Sequence, residues 1–184
     1  EARQMYDPAQ TGTVVSCVAC HNPTAHEMTQ VAFPSGVEIG GLGGEAVCMQ
    51  CHQGLRSTED VFEAIATLDI DDVNRNLSFI NVHYAIAGAT WLGTEVRGGY
   101  EYPDRSYVAR FEHVPNMQAC DECHDAHSQQ VDPETCSPCH SNVADVGDLD
   151  AIRTSEPDYD GDGNVDEGVA GEIETLEQGV YAAM

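Results

Sequence analysis

All eight cysteines of the chain occur in C-x-x-C pairs, and a histidine follows each pair directly. Two thiols three positions apart can form thioethers with the two vinyl groups of one porphyrin, and the next imidazole can bind its iron. The pattern therefore predicts four covalently attached c-type haems. The predicted attachment residues are Cys17, Cys20, Cys48, Cys51, Cys120, Cys123, Cys136 and Cys139, and the predicted proximal ligands are His21, His52, His124 and His140.

Three other kinds of site use C-x-x-C pairs: zinc sites, redox-active disulfides and structural disulfide frameworks. None of them requires a histidine at the following position. Histidine makes up only 8 of the 184 residues, so four coincidences of this kind are improbable. The haem interpretation also uses every cysteine, and we expect no disulfide.

Four further histidines remain, as many as the predicted haems: His26, His83, His113 and His127. If each binds one iron, every iron has two imidazole ligands and no open coordination position for a substrate. This count favours electron transfer over catalysis, and we predict no catalytic residue. Methionine ligation at one iron is the alternative, and the candidate methionines are Met5, Met28, Met49 and Met117.

Two of these histidines lie very close to a proximal ligand in the sequence. His26 follows His21 by five residues, and His127 follows His124 by three. A residue this near lies on the proximal side of its own porphyrin, so we expect both to bind the iron of a different haem. For His127 the neighbouring haem of the same chain is the expected partner. For His26 a haem of the same chain and a haem of another subunit both remain open.

The overall composition is unusual for a folded chain. Leu, Ile, Val and Phe supply only 36 residues, against 32 acidic residues, seven Arg and no Lys, for a net charge of −25. Such a composition is typical of disordered chains, unless buried porphyrins supply the missing apolar core. The charge excludes nonspecific nucleic-acid binding, because phosphates would be repelled. No apolar stretch approaches the roughly 18 residues of a membrane-spanning helix.

These observations predict the fold of a multihaem cytochrome. We expect one domain over residues 1–184, mostly irregular coil with short helices and little strand, wrapped around a covalent haem chain. A helix is predicted to begin at Ser57, with acidic residues in its first turn. Residues 100–111 fit either a small hairpin or an ordered loop. The spacing of Ile173, Leu176 and Val180 predicts a C-terminal helix.

The start of the chain bears on its location. It opens at Glu1, with neither an initiator methionine nor an apolar leader segment. Haem attachment to C-x-x-C-H takes place outside the cytoplasm. We therefore expect an exported protein whose signal peptide has been removed.

The acidic segment 158–169 fits most of an EF-hand-type calcium loop. The candidate calcium ligands are Asp158, Asp160, Asp162, Asn164 and Asp166, with Gly163 at the sharp turn. The twelfth position is Val169 rather than the usual bidentate Glu, and Glu167 or Glu172 is a candidate replacement. The alternative is a solvated acidic turn without a bound ion.

Several linking segments resemble a known family. They are NVHYAIAGATWLGTE at 81–95, GGYEY at 98–102, CHQG at 51–54, and the stretch 158–174. They are similar to surface-exposed multihaem cytochromes of metal-respiring microbes, and within that group to tetrahaem cytochromes that polymerise into extracellular nanowires. The resemblance implies a continuous chain of stacked haems, bis-histidine ligation, and one histidine donated to a haem of the next subunit. By its position after the first attachment motif, His26 corresponds to that donated ligand.

Three functions follow as hypotheses. The first is an extracellular electron-conducting filament built from copies of this chain. The second is a soluble monomeric tetrahaem shuttle of the periplasm, and the third is an electron-input subunit of a reductase. All three require redox partners, and none requires nucleic acid or a membrane span. Because negative charge near a haem stabilises ferric iron, we expect low, negative reduction potentials.

Overall fold

The computed structural model describes residues 15–69, 71–110 and 112–184. Most of these residues form turns and irregular coil, as predicted. The helices are α1 (Cys17–Cys20), α2 (Pro23–His26), α3 (Glu45–His52), α4 (Thr58–Ile65), α5 (Ala87–Leu92), α6 (Pro133–Cys136) and α7 (Val169–Ala183), with 3-10 turns at Cys120–Glu122 and Val146–Ala151. The strands are β1 (Gln30–Ala32) and β2 (Glu38–Gly40).

The chain divides into two compact units, Glu1–Phe111 and Glu112–Met184. The first contains α1 to α5 and the two strands, and the second contains α6, α7 and the two 3-10 turns. Each unit carries two of the four C-x-x-C-H motifs. The single domain over 1–184 stays a prediction. No helix in the described ranges is long and apolar enough to cross a bilayer.

The core of the first unit lies where a short hairpin meets two helices. β1 and β2 are antiparallel, with Val31 opposite Ile39. Gly36 has φ +87° in the turn between them, a conformation that glycine adopts without strain. The buried core side chains are Val31, Phe33, Leu42, Ala46, Met49, Ala89, Leu92 and Val96. Met49 is fully buried on α3, one residue after Cys48, so the core fixes the helix that bears the second motif.

Helix α5 packs closely against α3 because Gly88 has no side chain. A Cβ at this position would lie 3.1 Å from the carbonyl oxygen of His52 and 3.3 Å from Cγ of Met49. Both distances are tighter than ordinary van der Waals contact. The glycine therefore lets α5 approach the end of the second attachment motif.

Helix α4 begins where the sequence predicts. The Asp60 carboxylate accepts a hydrogen bond from the Ser57 amide at 2.8 Å, within a capping box. The buried hydroxyl of Thr58 accepts a hydrogen bond from the Glu101 amide at 2.9 Å and donates to the Gly99 carbonyl. These bonds attach the start of α4 to residues 99–101, where the predicted hairpin begins.

Residues 100–110 form an ordered loop rather than a hairpin with two strands. The Arg105 amide donates to the Tyr102 carbonyl at 3.3 Å across the turn, and the Tyr102 amide donates to the Tyr107 hydroxyl at 2.8 Å. A single bridge joins Gly93 to Ala109. Phe111, the last residue of the predicted hairpin, lies outside the described residues.

The second unit is held by polar contacts more than by an apolar core. Val143 is its buried hydrophobic residue, at 3% exposure. The predicted C-terminal helix is confirmed as α7, but Ile173, Leu176 and Val180 on it are exposed. The buried side chain of α7 is instead Glu172, which pairs with Arg153.

Candidate functional site

The C-x-x-C-H motifs share one local conformation. The histidine amide donates to the carbonyl of the first cysteine at 2.7 Å in the first motif and at 2.9 Å in the third and fourth. The second motif forms the last turn of α3. Residues i and i+3 of a helical turn lie on the same face. The two thiols of each pair therefore share a face, as attachment to one porphyrin requires.

The motifs are accessible to a large planar group. Cys17, Cys20, Cys48, Cys51 and Cys139 are exposed, and Cys120, Cys123 and Cys136 are half-buried. Of the eight histidines, all are exposed except His140, which is half-buried.

Large apolar side chains are also exposed beside the motifs and the spare histidines. They include Val18, Leu55, Phe79, Tyr84 and Val114. Exposed apolar side chains are unfavourable in water, and a bound porphyrin would cover those next to it. The donor set and its surroundings therefore fit c-type haem: two thiols and an imidazole at each motif, next to apolar surface that a porphyrin would cover.

In the first motif, α1 is followed at once by the second helical turn, α2. The Asn22 side chain joins them, because it donates to the Val18 carbonyl and accepts from the Ala25 amide, each at 2.9 Å. His26 is the last residue of α2 and is exposed. The position of His26 relative to the first attachment motif is therefore set by two consecutive helical turns that the Asn22 side chain connects.

The third motif carries a feature typical of metal-bound histidine. Nδ1 of His124 lies 3.3 Å from the carbonyl oxygen of Gln129. Donation from Nδ1 to a backbone carbonyl orients the ring and leaves Nε2 to bind a metal. The sequence gives no signal for the part played by Gln129, because a backbone carbonyl contributes the contact.

His127 lies in the turn at 125–130. The Asp125 carboxylate stabilises this turn, because it accepts hydrogen bonds from the Ser128 amide at 2.6 Å and from the His127 amide at 3.2 Å. The bond from the Ser128 amide is the main reason that the pKa of Asp125 lies below its ordinary value. Asp125 is therefore ionised at neutral pH and keeps His127 in a short turn next to His124.

Asp132 links the third and fourth motifs. Its amide donates to the Cys123 carbonyl at 3.0 Å, and its side chain caps α6 by accepting from the Glu134 amide at 3.0 Å. Burial raises the pKa of the Cys123 thiol, and the nearby Cys136 thiol adds to this effect. The two attachment sites are therefore neighbours. An Asp-Pro pair in the sequence predicts a helix cap. The hydrogen bond from the Asp132 amide to Cys123 cannot be predicted from the sequence in the same way.

Two spare histidines make ring contacts. His113 lies beside His140, with ring centroids 6.0 Å apart and the planes at 57°. His83 stacks on Phe79, with centroids 6.3 Å apart and planes at 8°. The amide of His83 also donates to the Asn81 side chain at 2.9 Å.

The predicted calcium-loop residues are brought together only in part. Asp158, Asp160 and Glu172 form one group, and Asp160, Asp162 and Glu167 form another. Within each group the oxygen atoms lie within 4.8 Å of one another. Both residues considered as substitutes for the missing twelfth ligand, Glu167 and Glu172, therefore lie at the loop.

Asn164 and Asp166 belong to neither carboxylate group. Both are exposed, and they form successive side-chain turns in which the Asp166 amide donates to Oδ1 of Asn164 at 3.2 Å. Val169, at the twelfth position, is the first residue of α7.

Two carboxylate groups at the loop carry an oxygen atom that no donor in the described ranges compensates. Oδ2 of Asp160 and Oε1 of Glu167 are buried atoms without a hydrogen-bond partner among the described residues. Burial raises the pKa of Glu167, and the charges of Asp162 and Asp160 raise it further. Such a site favours a cation, because a positive charge would relieve both the repulsion and the missing hydrogen bonds.

The negative charge of Glu172 is compensated by Arg153, a residue for which the sequence predicts no role. Burial opposes its ionisation, but the amide of Asp160 and the guanidinium of Arg153 outweigh burial and lower the pKa of Glu172. Arg153 also donates to the Glu167 carbonyl at 3.1 Å. Its position five residues before a dense acidic segment is the available sequence signal.

Part of the chain is similar to polyhaem c-type cytochromes. One is the C-type polyheme cytochrome OmcC of Geobacter sulfurreducens, 44% identical over 79 residues, which is 42% of this chain and 9% of OmcC. Another is the C-type polyheme cytochrome OmcB of the same species, 33% identical over 97 residues, or 53% of this chain and 12% of OmcB. The chain thus spans about a tenth of the length of these relatives. These similarities support a multihaem c-type cytochrome.

No protein-family model matches the chain. No solved structure matches it either.

Proposed function

We propose that this chain binds four c-type haems and transfers electrons through them. The observation that supports this most directly is the shared helical turn of the motifs, in which the histidine amide bonds to the first cysteine carbonyl at 2.7 to 2.9 Å in three of them. When bound, haem iron supplies reversible one-electron oxidation and reduction. The similarity to polyhaem cytochromes over about half of the chain agrees with this function.

The chain's own residues hold and orient the haems. The eight cysteines named above would form the thioether bonds, and the histidine after each pair would bind iron. His26, His83, His113 and His127 would supply the remaining iron ligands. The protein contributes electron transfer rather than catalysis, because eight imidazoles would leave no iron position open.

The test is a direct count of haems in the purified protein. Intact mass should exceed the polypeptide mass by four haems, and the pyridine haemochrome spectrum should show thioether-bonded haem. Replacing both cysteines of one motif with serine should remove one haem and leave three. A wild-type protein without covalent haem would contradict the proposal.

We further propose that copies of the chain assemble into an extracellular filament, with His26 binding a haem iron of the next copy. The support is the exposure of His26 at the end of α2 and the resemblance of the linking segments to nanowire cytochromes. Electron microscopy of the native protein distinguishes a filament from a monomeric shuttle. A reductase subunit would instead co-purify with a partner that carries an open haem.

The loop at 158–169 is proposed to bind one calcium ion together with Glu172. The support is the close grouping of carboxylate oxygens, two of which are buried without a hydrogen bond. Calcium takes six to eight oxygen ligands, which suits a loop of this composition. The ion would attach the start of α7 to the loop before it.

A further inference from the structure

We infer that His113 is the second axial ligand of the haem attached through Cys136 and Cys139, opposite His140. This inference rests on the function proposed above. The two rings have centroids 6.0 Å apart. An iron bonded to one nitrogen of each of two imidazoles at about 2 Å places the ring centroids roughly 6 Å apart. The two histidines therefore lie at the separation that a shared iron imposes.

His113 is positioned by contacts that lead back to the third motif. Gln118 donates from its side chain to the Glu112 carboxylate at 3.1 Å and from its amide to the Glu122 carboxylate at 2.5 Å. Glu122 also accepts from the Ala119 amide at 2.8 Å. The residue before His113 is thus connected to the 3-10 turn that bears Cys120.

A tight turn follows His113 directly. The Met117 amide donates to the Val114 carbonyl at 3.0 Å, and Asn116 has φ +68°. Asparagine tolerates this left-handed conformation better than most residues. The turn reverses the chain at 114–117, so the segment that leads into the third motif also places His113 next to the fourth.

His140, the other member of the pair, is also held in place by local contacts. Its amide donates to the Cys136 carbonyl at 2.9 Å, and its carbonyl accepts from the Val143 amide at 2.9 Å. Val143 is buried. His140 therefore lies between the attachment helix and an anchored residue, and both rings of the pair are held by local structure of the second unit.

The pairing has a consequence for assembly. Both axial ligands and both thioether cysteines of this haem come from residues 112–184. This haem therefore requires no ligand from another copy of the chain, and a ligand exchanged between copies belongs to a different haem.

The first experiment uses the holoprotein and its spin state. In wild type, electron paramagnetic resonance should show low-spin ferric haem throughout. In His113→Ala, the high-spin fraction should rise from near zero to about one quarter of the haem, and added imidazole should reverse it. Met117→Leu is combined with this variant so that the neighbouring thioether cannot replace the lost ligand. Haems that all stay low-spin in the combined variant overturn the inference.

The second experiment assigns the haem. His113→Ala is combined with Cys136→Ser and Cys139→Ser, which removes the fourth haem. The high-spin signal should then disappear, and its persistence would show that His113 serves another haem. His127→Ala in the same three-haem background is the matched control, and its high-spin signal should persist. His113→Met adds a readout that does not depend on losing a ligand, because it should produce a methionine–iron charge-transfer band at one haem.

Failure of the inference is separable from failure of the proposed function. A wild-type protein without covalent haem contradicts the function before any variant is made. The wild type can also have four low-spin haems while the His113→Ala variants show no high-spin signal, or keep it after the fourth haem is removed. That result contradicts only the pairing.

Discussion

Arg153 and Glu172 form a 2.5 Å ion pair in which the side chains are 10% and 1% exposed. The same carboxylate accepts hydrogen bonds from the amides of Tyr159 and Asp160 at 2.8 and 2.9 Å. Both carboxylate oxygens of Glu172 therefore accept a hydrogen bond. The pair attaches α7 to the loop before it in a unit that has few buried apolar side chains.

We expect this attachment to weaken in acid. The pKa of Glu172 is lowered in the folded chain, so its contribution to stability is full above the ordinary pKa of glutamate. The contribution is lost as the pH falls through the lower, folded pKa. Hydrogen exchange of the α7 amides, followed as the pH is lowered, should show loss of protection in that range. In Glu172→Gln the protection should already be low at neutral pH. Glu174→Gln, at an exposed position of the same helix, is the control and should resemble wild type.

Calcium should stabilise the same region. At a free concentration 100 times its Kd, a ligand that binds only the folded state adds about 2.7 kcal/mol to the free energy of unfolding. We expect calcium to raise the melting temperature and a chelator to reverse the change. Glu167→Gln and Asp160→Asn should weaken calcium binding in a calorimetric titration. Asp71→Asn, in the other unit, should leave it unchanged, and equal binding by all three variants would contradict the site.

The core of the first unit should depend strongly on Met49. Truncation of a fully buried methionine to alanine removes apolar contacts and leaves a cavity, at a cost of about 2–5 kcal/mol. Met49→Ala should therefore shift the denaturant midpoint seen by circular dichroism. Met184→Ala, at a position 97% exposed, should not. Equal shifts in the two variants would argue against the described core.

Asp132→Ala should loosen the connection between the third and fourth motifs. Loss of a helix cap costs about 1 kcal/mol, and here the capped helix bears Cys136. We expect weaker coupling between the two haems, measured as a smaller bisignate Soret band in circular dichroism. Asp145→Ala is the matched control, because Asp145 caps the 3-10 turn Val146–Ala151, which bears no motif. Identical Soret spectra in wild type and Asp132→Ala would count against close placement of these haems.

The reduction potentials should be low and negative. The chain has 32 acidic residues against seven Arg, and negative charge near a haem favours the ferric state. Spectroelectrochemical titration of the holoprotein measures this directly. Potentials clustered well above zero would show that burial and ligation outweigh the surrounding charge.

The sequence predicts the parts of this chain that depend on neighbouring residues. The start of α4 follows from Ser57 and Asp60, and α7 follows from apolar spacing, because capping and periodicity are local. The β1–β2 hairpin, whose strands have three residues each, is not among the elements predicted from the sequence.

The site shows the same division between local and distant contacts. The C-x-x-C-H pattern carries its chemistry within five residues, and the structure gives it a common helical turn. The approach of His113 to His140 spans 27 positions and depends on the turn at 114–117. Likewise, Arg153 reaches Glu172 across 19 positions, and its place before an acidic segment does not specify which carboxylate it contacts.

The bond between the Asp132 amide and the Cys123 carbonyl has a consequence for the rate of charge movement. Tunnelling between two redox centres falls steeply as their edges separate, so the rate depends strongly on how the gap is held. Asp132 is at once the cap of one attachment helix and the hydrogen-bond partner of the other attachment site. Porphyrins attached at Cys123 and Cys136 would therefore be held to one another, and the tunnelling distance between them would stay nearly constant.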